Sequence, residues 1–236
     1  LGDVYKRQAI ALLSAAMPFT AKAQDKVEAS VGADLVSNYI WRGTDCGGVS
    51  IQPSMGVSYK GLSLAAWGSV GIDKEDAREI DLTLGYNTGG FNVSVTDYWF
   101  SYHKEDGGYT GDYFKYGAHS TVHIFEATLG YDFGPLALSW NTYFAGDDYT
   151  KENGDRAYST YVGISAPFKL GGLDWSAEVG LTPWEGAYAN KFNVTNLTLK
   201  AEKEIKFTNY FSLPTFAQVT FNPHTQGAYF VFGVSF

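Results

Sequence analysis

The chain has 236 residues and a formal net charge of −8, with 27 Gly, 17 Tyr, 16 Phe and 6 Trp against 1 Cys and 2 Met. The acidic balance argues against a nucleic-acid partner, which needs a basic face. One Cys excludes an internal disulfide framework, and no later apolar run reaches the roughly 20 residues of a membrane-spanning helix.

The sequence begins without Met, so residues 1–8 carry no weight. Lys6 and Arg7 then precede an apolar run at 9–19 and the small-x-small triplet Ala21-Lys22-Ala23. That is the pattern of a secretory signal peptide. Residues 1–23 are therefore expected to be removed, leaving a single domain over 24–236.

From there apolar and polar side chains alternate with period two, the mark of a strand with one greasy face. The first strand covers 27–39, with Ala29, Val31, Ala33 and Leu35 opposite Ser30, Gly32, Asp34 and Asn38. An outer loop at 42–50, holding Cys46, leads to a strand at 51–59. Lys60-Gly61 turns into Leu62, Leu64, Ala66, Gly68 and Val70, opposed by Ser63, Ala65, Trp67 and Ser69. Past an acidic loop at 73–76, Ile80, Leu82, Leu84 and Tyr86 oppose Glu79, Asp81, Thr83 and Gly85. A turn at 87–90 starts Phe91, Val93 and Val95, and a long polar loop follows at 101–120. Ala127, Leu129 and Tyr131 then oppose Glu126, Thr128 and Asp132; a short turn gives Leu136, Leu138 and Trp140. Loop 147–155 precedes Thr160, Val162 and Ile164, and Gly171-Gly172 turns into Leu173 to Leu181, opposed by Glu178 among others. Loop 183–191 leads to Leu197, Leu199 and Ala201 against Asn196, Thr198, Lys200 and Glu202. The next strand carries Pro214, which removes a ladder donor and calls for a bulge. The last strand alternates Phe230, Phe232, Val234 and Phe236 to the final residue.

About twelve strands of the 9–11 residues that cross a tilted barrel wall, joined alternately by short and long connections, predict an all-β, closed, antiparallel up-and-down transmembrane β-barrel. Short turns would face the periplasm and longer loops the outside of a bacterial outer membrane. Twelve strands enclose too much room for an apolar filling, so the greasy face belongs outside, against outer-membrane lipids. The assigned outward sets hold no charged residue, consistent with a cost of about 2–4 kcal/mol for Lys or Arg there. Aromatics gather at strand ends, Tyr39, Trp41, Trp99, Phe144 and Trp184 at the loop side and Tyr86 and Phe91 at the turn side, as an interfacial girdle would. Phe230, Phe232, Val234 and Phe236 resemble the C-terminal assembly signal of bacterial outer-membrane proteins, which the barrel-assembly machinery receives.

The stretches Asp34-Leu35-Val36-Ser37-Asn38-Tyr39-Ile40-Trp41-Arg42-Gly43, Leu64-Ala65-Ala66-Trp67-Gly68-Ser69 and Glu79-Ile80-Asp81-Leu82 with Gly85-Tyr86 resemble the TorF-type porin family, also labelled the Gcw conserved outer-membrane proteins. The resemblance spans about residues 30–86 and implies an outer-membrane barrel; it carries over no site. Asn38 stands where Asp is common in the family, and Thr44-Asp45 replaces an Ile-Ser pair.

No catalytic constellation is expected, nor a cofactor or metal. His119-Ser120 would face opposite ways if extended, and His119 with His123 supplies two ligands only. His103, His119, His123 and His224 read as solvated loop residues. The informative set is the inward face: Asp34, Glu79, Asp81, Glu126, Glu178, Lys200 and Glu202 as pore lining. Carboxylate rings favour cations, so a porin-like passive channel for small solutes with an acidic lumen is one reading. The other is a closed structural or surface-binding barrel, its carboxylates paired with Lys200, Arg78 and Tyr hydroxyls and its bore filled by Trp67, Tyr143, Tyr161 and Phe216. An outer-membrane enzyme is the third.

Overall fold

The computed structural model describes residues 26–104, 108–209 and 211–236; the expected signal peptide lies outside them. The strands are β1 Glu28–Val36, β2 Tyr39–Trp41, β3 Thr44–Gly47, β4 Ser50–Tyr59, β5 Leu62–Gly71, β6 Arg78–Thr88, β7 Phe91–Ser101, β8 His123–Asp132, β9 Ala137–Gly146, β10 Thr160–Leu170, β11 Leu173–Thr182, β12 Asn193–Lys206, β13 Ser212–Asn222 and β14 Gly227–Ser235. Twelve of them, β1 and β4 to β14, close into an antiparallel up-and-down barrel, and β2 with β3 forms a separate hairpin.

Turn chemistry explains the order of the wall. Lys60-Gly61, Gly89-Gly90 and Gly171-Gly172 all have positive φ at both positions, the type I′ geometry that matches strand twist. These tight turns share one end of the barrel with both chain ends of the wall; the longer connections gather at the other. Closure uses the final residue. β1 and β14 pair through Asp34–Ser235, Leu35–Val234 and Val36–Gly233. Below them the Phe236 amide donates to the Ala33 carbonyl at 2.9 Å, and the Ala33 amide to the Phe236 carbonyl at 3.3 Å. The ring of wall strands is thereby closed, with no edge strand in its order.

The expected bulge at Pro214 is not there: β12 and β13 run in register from Leu197–Phe221 to Lys206–Ser212. The β13–β14 ladder instead stops at Thr215–Val234, so the missing amide of Pro214 faces no strand on that side. Pro167 likewise lies past the end of the β9–β10 ladder at Ser165–Ala137. Register shifts fall elsewhere, at Phe125/Glu126 and Gly180/Leu181.

The sidedness is inverted relative to a soluble barrel. Ile80, Leu129, Val179 and Phe232 are 41%, 52%, 40% and 51% exposed on the outside, while Glu79, Asp81 and Glu126 inside are 5%, 5% and 1% exposed. Three charged residues do fall on the outer register: Arg78 at the loop end of β6, Asp97 in β7 and Lys203 near the turn end of β12. The first strand also ends earlier than its alternation suggests. β1 stops at Val36, and the chain from Ser37 turns away from the wall.

Candidate functional site

The connection from β1 to β4 is a β-hairpin folded into the lumen. Tyr39, Ile40 and Trp41 pair with Gly47, Asp45 and Thr44, and the two-residue tip is Arg42-Gly43. Both tip residues have positive φ, 50° and 80°, again type I′. Gly is needed at the second position twice over. The left-handed backbone disfavours a side chain, and a Cβ there would run into the backbone carbonyl of Thr195 on β12. The Asn222 amide side chain donates to the Gly43 carbonyl at 3.0 Å and fixes the tip against β13.

The tip drives Arg42 across the bore to the wall on the far side. Its Nη1 and Nη2 donate to Oε2 and Oε1 of Glu126 on β8, at 2.5 and 2.9 Å, a bidentate fork. Nη1 also donates to the Tyr188 hydroxyl at 2.6 Å, and Tyr188 donates onward to the Tyr143 hydroxyl at 3.1 Å. Tyr98 donates to Glu126 Oε1 at 2.9 Å. The guanidinium lies 4.3 Å from the Trp41 ring centre and 4.8 Å from that of Tyr161. Four buried tyrosines (Tyr98, Tyr143, Tyr161 and Tyr188) with Trp41, Phe100 and Ile124 packed against them make an apolar cluster inside the barrel. Burial works against the Arg42 charge, but the adjacent Glu126 holds its pKa well above the ordinary value. Burial pushes the Tyr188 hydroxyl up to about 12, so it stays neutral. Tyr188 arrives on a second inward segment, the 183–192 connection, anchored where the Ala187 amide donates to Ser159 Oγ at 2.8 Å.

The expected lumen residues face inward, but they are distributed among separate pairings and form no ring. Glu126 is committed to Arg42. Glu178 accepts through Oε1 from the Tyr161 hydroxyl at 2.5 Å and from Asn196 Nδ2 at 3.1 Å. Lys200 pairs with Glu202 at 2.6 Å and stands over the Phe216 ring. Glu79 and Asp81 lie side by side on β6, with Asp81 Oδ1 buried and unpartnered among the described residues. Asp34 stands opposite Gln52 in the β1–β4 register. Arg78 does not reach these acids; it stacks on Tyr109 at 3.7 Å. Below the hairpin a cavity of about 190 Å³ remains, walled by Tyr39, Trp41, Gln52, Trp67, Glu178, Lys200, Phe216 and Gln218 among others.

Two of the aromatics assigned to the girdle are inside the barrel. Tyr39 is buried and packs on Trp67, with ring centres 5.5 Å apart. Trp41 packs on Tyr98 at 5.6 Å. On sequence they cannot be told from strand-end aromatics, and only the inward turn at Ser37 redirects them. Tyr86, Phe91, Phe144 and Trp184 are exposed, and Trp99 is covered by Tyr113. Phe230, Phe232 and Phe236 are exposed along the closing seam.

His123 is not a solvated loop residue. It is fully buried, its Nδ1 2.7 Å from Asp97 Oδ1 and its Nε2 2.7 Å from the Tyr113 carbonyl oxygen. Tyr113 and Tyr116, from the connection that precedes β8, fold back over this pair, with Tyr116 stacked on the imidazole at 4.2 Å. Asp97 is thus screened at the outer surface. His119 is apart from it, and no group of metal-ligating residues occurs among the described residues.

These features define a class: a twelve-stranded barrel with an apolar exterior, a polar lumen and an inward hairpin latched across the bore. No protein-family model matches the chain, and no curated protein matches it.

Proposed function

We propose that this chain is a bacterial outer-membrane barrel of the porin type, related to the TorF-type porins it resembles, and that it passes small solutes when its hairpin leaves the bore. The observation that carries this reading is the inverted sidedness. A predominantly apolar exterior around a lumen lined by Ser, Thr, Asn, Gln and paired charges is what lipid outside and water inside select. A narrow bore and its acids favour cations or neutral solutes over anions.

The Arg42–Glu126 fork within its tyrosine cluster favours the second reading, a permanently closed structural or surface-binding barrel. Single-channel recording in planar bilayers separates the two. The porin reading expects discrete openings from the pure refolded chain, more frequent once the latch is removed. A folded barrel that never conducts, with or without the latch, leaves the closed barrel standing.

A further inference from the structure

We infer that the cavity beneath the hairpin is a binding site for a neutral, polyhydroxylated solute the size of a single sugar ring. Its volume of about 190 Å³ lies below the range of drug-sized pockets. That is room of the order of one pyranose ring.

The walls supply what a sugar needs. Trp67 offers an indole at the cavity wall, backed by Tyr39 at 5.5 Å, so its orientation is fixed before a ligand arrives. Such a face takes the C–H side of a pyranose, and the hydroxyls need acceptors and donors around the rim. Glu178 is prepared as one acceptor. Both bonds from Tyr161 and Asn196 end on Oε1, and Oε2 has no partner among the described residues. Gln218 donates to Thr220 Oγ1 at 3.1 Å and keeps its amide oxygen for an incoming hydroxyl.

Charge selects neutrality. The two cations at the wall are already matched, Arg42 by Glu126 at 2.5 Å and Lys200 by Glu202 at 2.6 Å. An entering anion meets cations whose charge a carboxylate already balances, so it gains little net attraction from either. An entering cation meets Arg42 and Lys200 beside the single free carboxylate oxygen. A hydroxyl-rich neutral ring uses donors and acceptors without disturbing either pair.

The inference rests on the porin reading for its biological setting but not for its test. The full mature chain, refolded in detergent, is titrated with D-glucose, with glycine and with sodium phosphate. Binding is read from intrinsic tryptophan fluorescence and by calorimetry. Trp41 and Trp67 both line the cavity, so glucose is expected to give a saturable change, while glycine and phosphate give none. Trp67→Leu is expected to weaken glucose binding at least tenfold, and Gln218→Ala to weaken it several-fold in case the first variant misfolds. No saturation with glucose, or saturation with glycine or phosphate instead, overturns the proposal. A barrel that binds glucose yet never conducts would fail as a channel and keep the site. One that conducts yet ignores sugars would fail here alone.

Discussion

Removing the Arg42 side chain tests the latch most directly. In Arg42→Ala the hairpin loses a bidentate pair to Glu126, a hydrogen bond to Tyr188 and a stack on Trp41. Truncating one partner of a buried ion pair costs about 3–5 kcal/mol, because the other charge is left unmatched. Glu126 is 1% exposed, so in the closed state that cost is fully felt. In an open state water reaches the carboxylate and relieves it, so the penalty falls mainly on the closed arrangement. At about 1.4 kcal/mol per factor of ten, the closed-to-open ratio is expected to fall by roughly a hundredfold to a few thousandfold. The β4–β14 ladders do not involve Arg42, so the barrel itself should keep its heat-modifiable electrophoretic mobility. Bilayer recording at fixed voltage and salt then reads the shift as more frequent, longer openings. Glu126→Gln, which keeps the shape and removes the charge, should move in the same direction by less. A folded Arg42→Ala protein that conducts no more than the parent refutes the latch.

Other residues carry further expectations. Gly43→Val places a side chain at a φ of 80° against the Thr195 carbonyl, so the hairpin tip must withdraw and conductance should rise; unchanged conductance would show that the tip does not need its seat. The Cys46 thiol is pushed up from 9.0 to about 12 by burial and then by Glu79, so the thiolate is scarce below that pH. Its alkylation rate at pH 8, followed by mass spectrometry, should be about a thousandfold below that of a free thiol and should recover in Arg42→Ala. Val179 faces outward between Ile164 and Leu197, so Val179→Arg should cost about 2–4 kcal/mol on folding into lipid vesicles, measured by urea titration. Equal stability for Val179→Arg and Val179→Leu would argue against lipid on that face.

The wall was legible because each strand solves the same local problem. Period-two alternation in Ile80 to Tyr86 or Leu173 to Leu181 needs no distant partner to be read, and Lys60-Gly61 or Gly171-Gly172 marks its own turn. The lumen acids could be placed from the same parity. Their partners could not, because those lie far along the chain: Arg42 is 84 residues from Glu126 and 146 from Tyr188. A signal for the hairpin was present. Arg42-Gly43 sits between Tyr39-Ile40-Trp41 and Thr44-Asp45-Cys46 as a two-residue turn sits between strands, though Asn-Gly is the commoner pair there. Asp97 continues the face of Val93 and Val95, which pointed to a partner; His123 supplies it from the far side of a loop of some twenty residues.

The two buried polar pairs differ in what lies beyond them, and that difference decides which can move. Asp97 and His123 sit on the outside of the wall under Tyr113 and Tyr116, so separating them would turn a carboxylate toward the apolar exterior. Arg42 and Glu126 sit inside, where withdrawal of a short hairpin carries the guanidinium to the aqueous end and lets water follow into the bore. Contacts of similar length, 2.7 and 2.5 Å, therefore hold with very different effective strength. The outer pair is a permanent fastening for the segment carrying Tyr113 and Tyr116. The inner pair loses little once water replaces each partner, which is the condition a reversible latch has to meet.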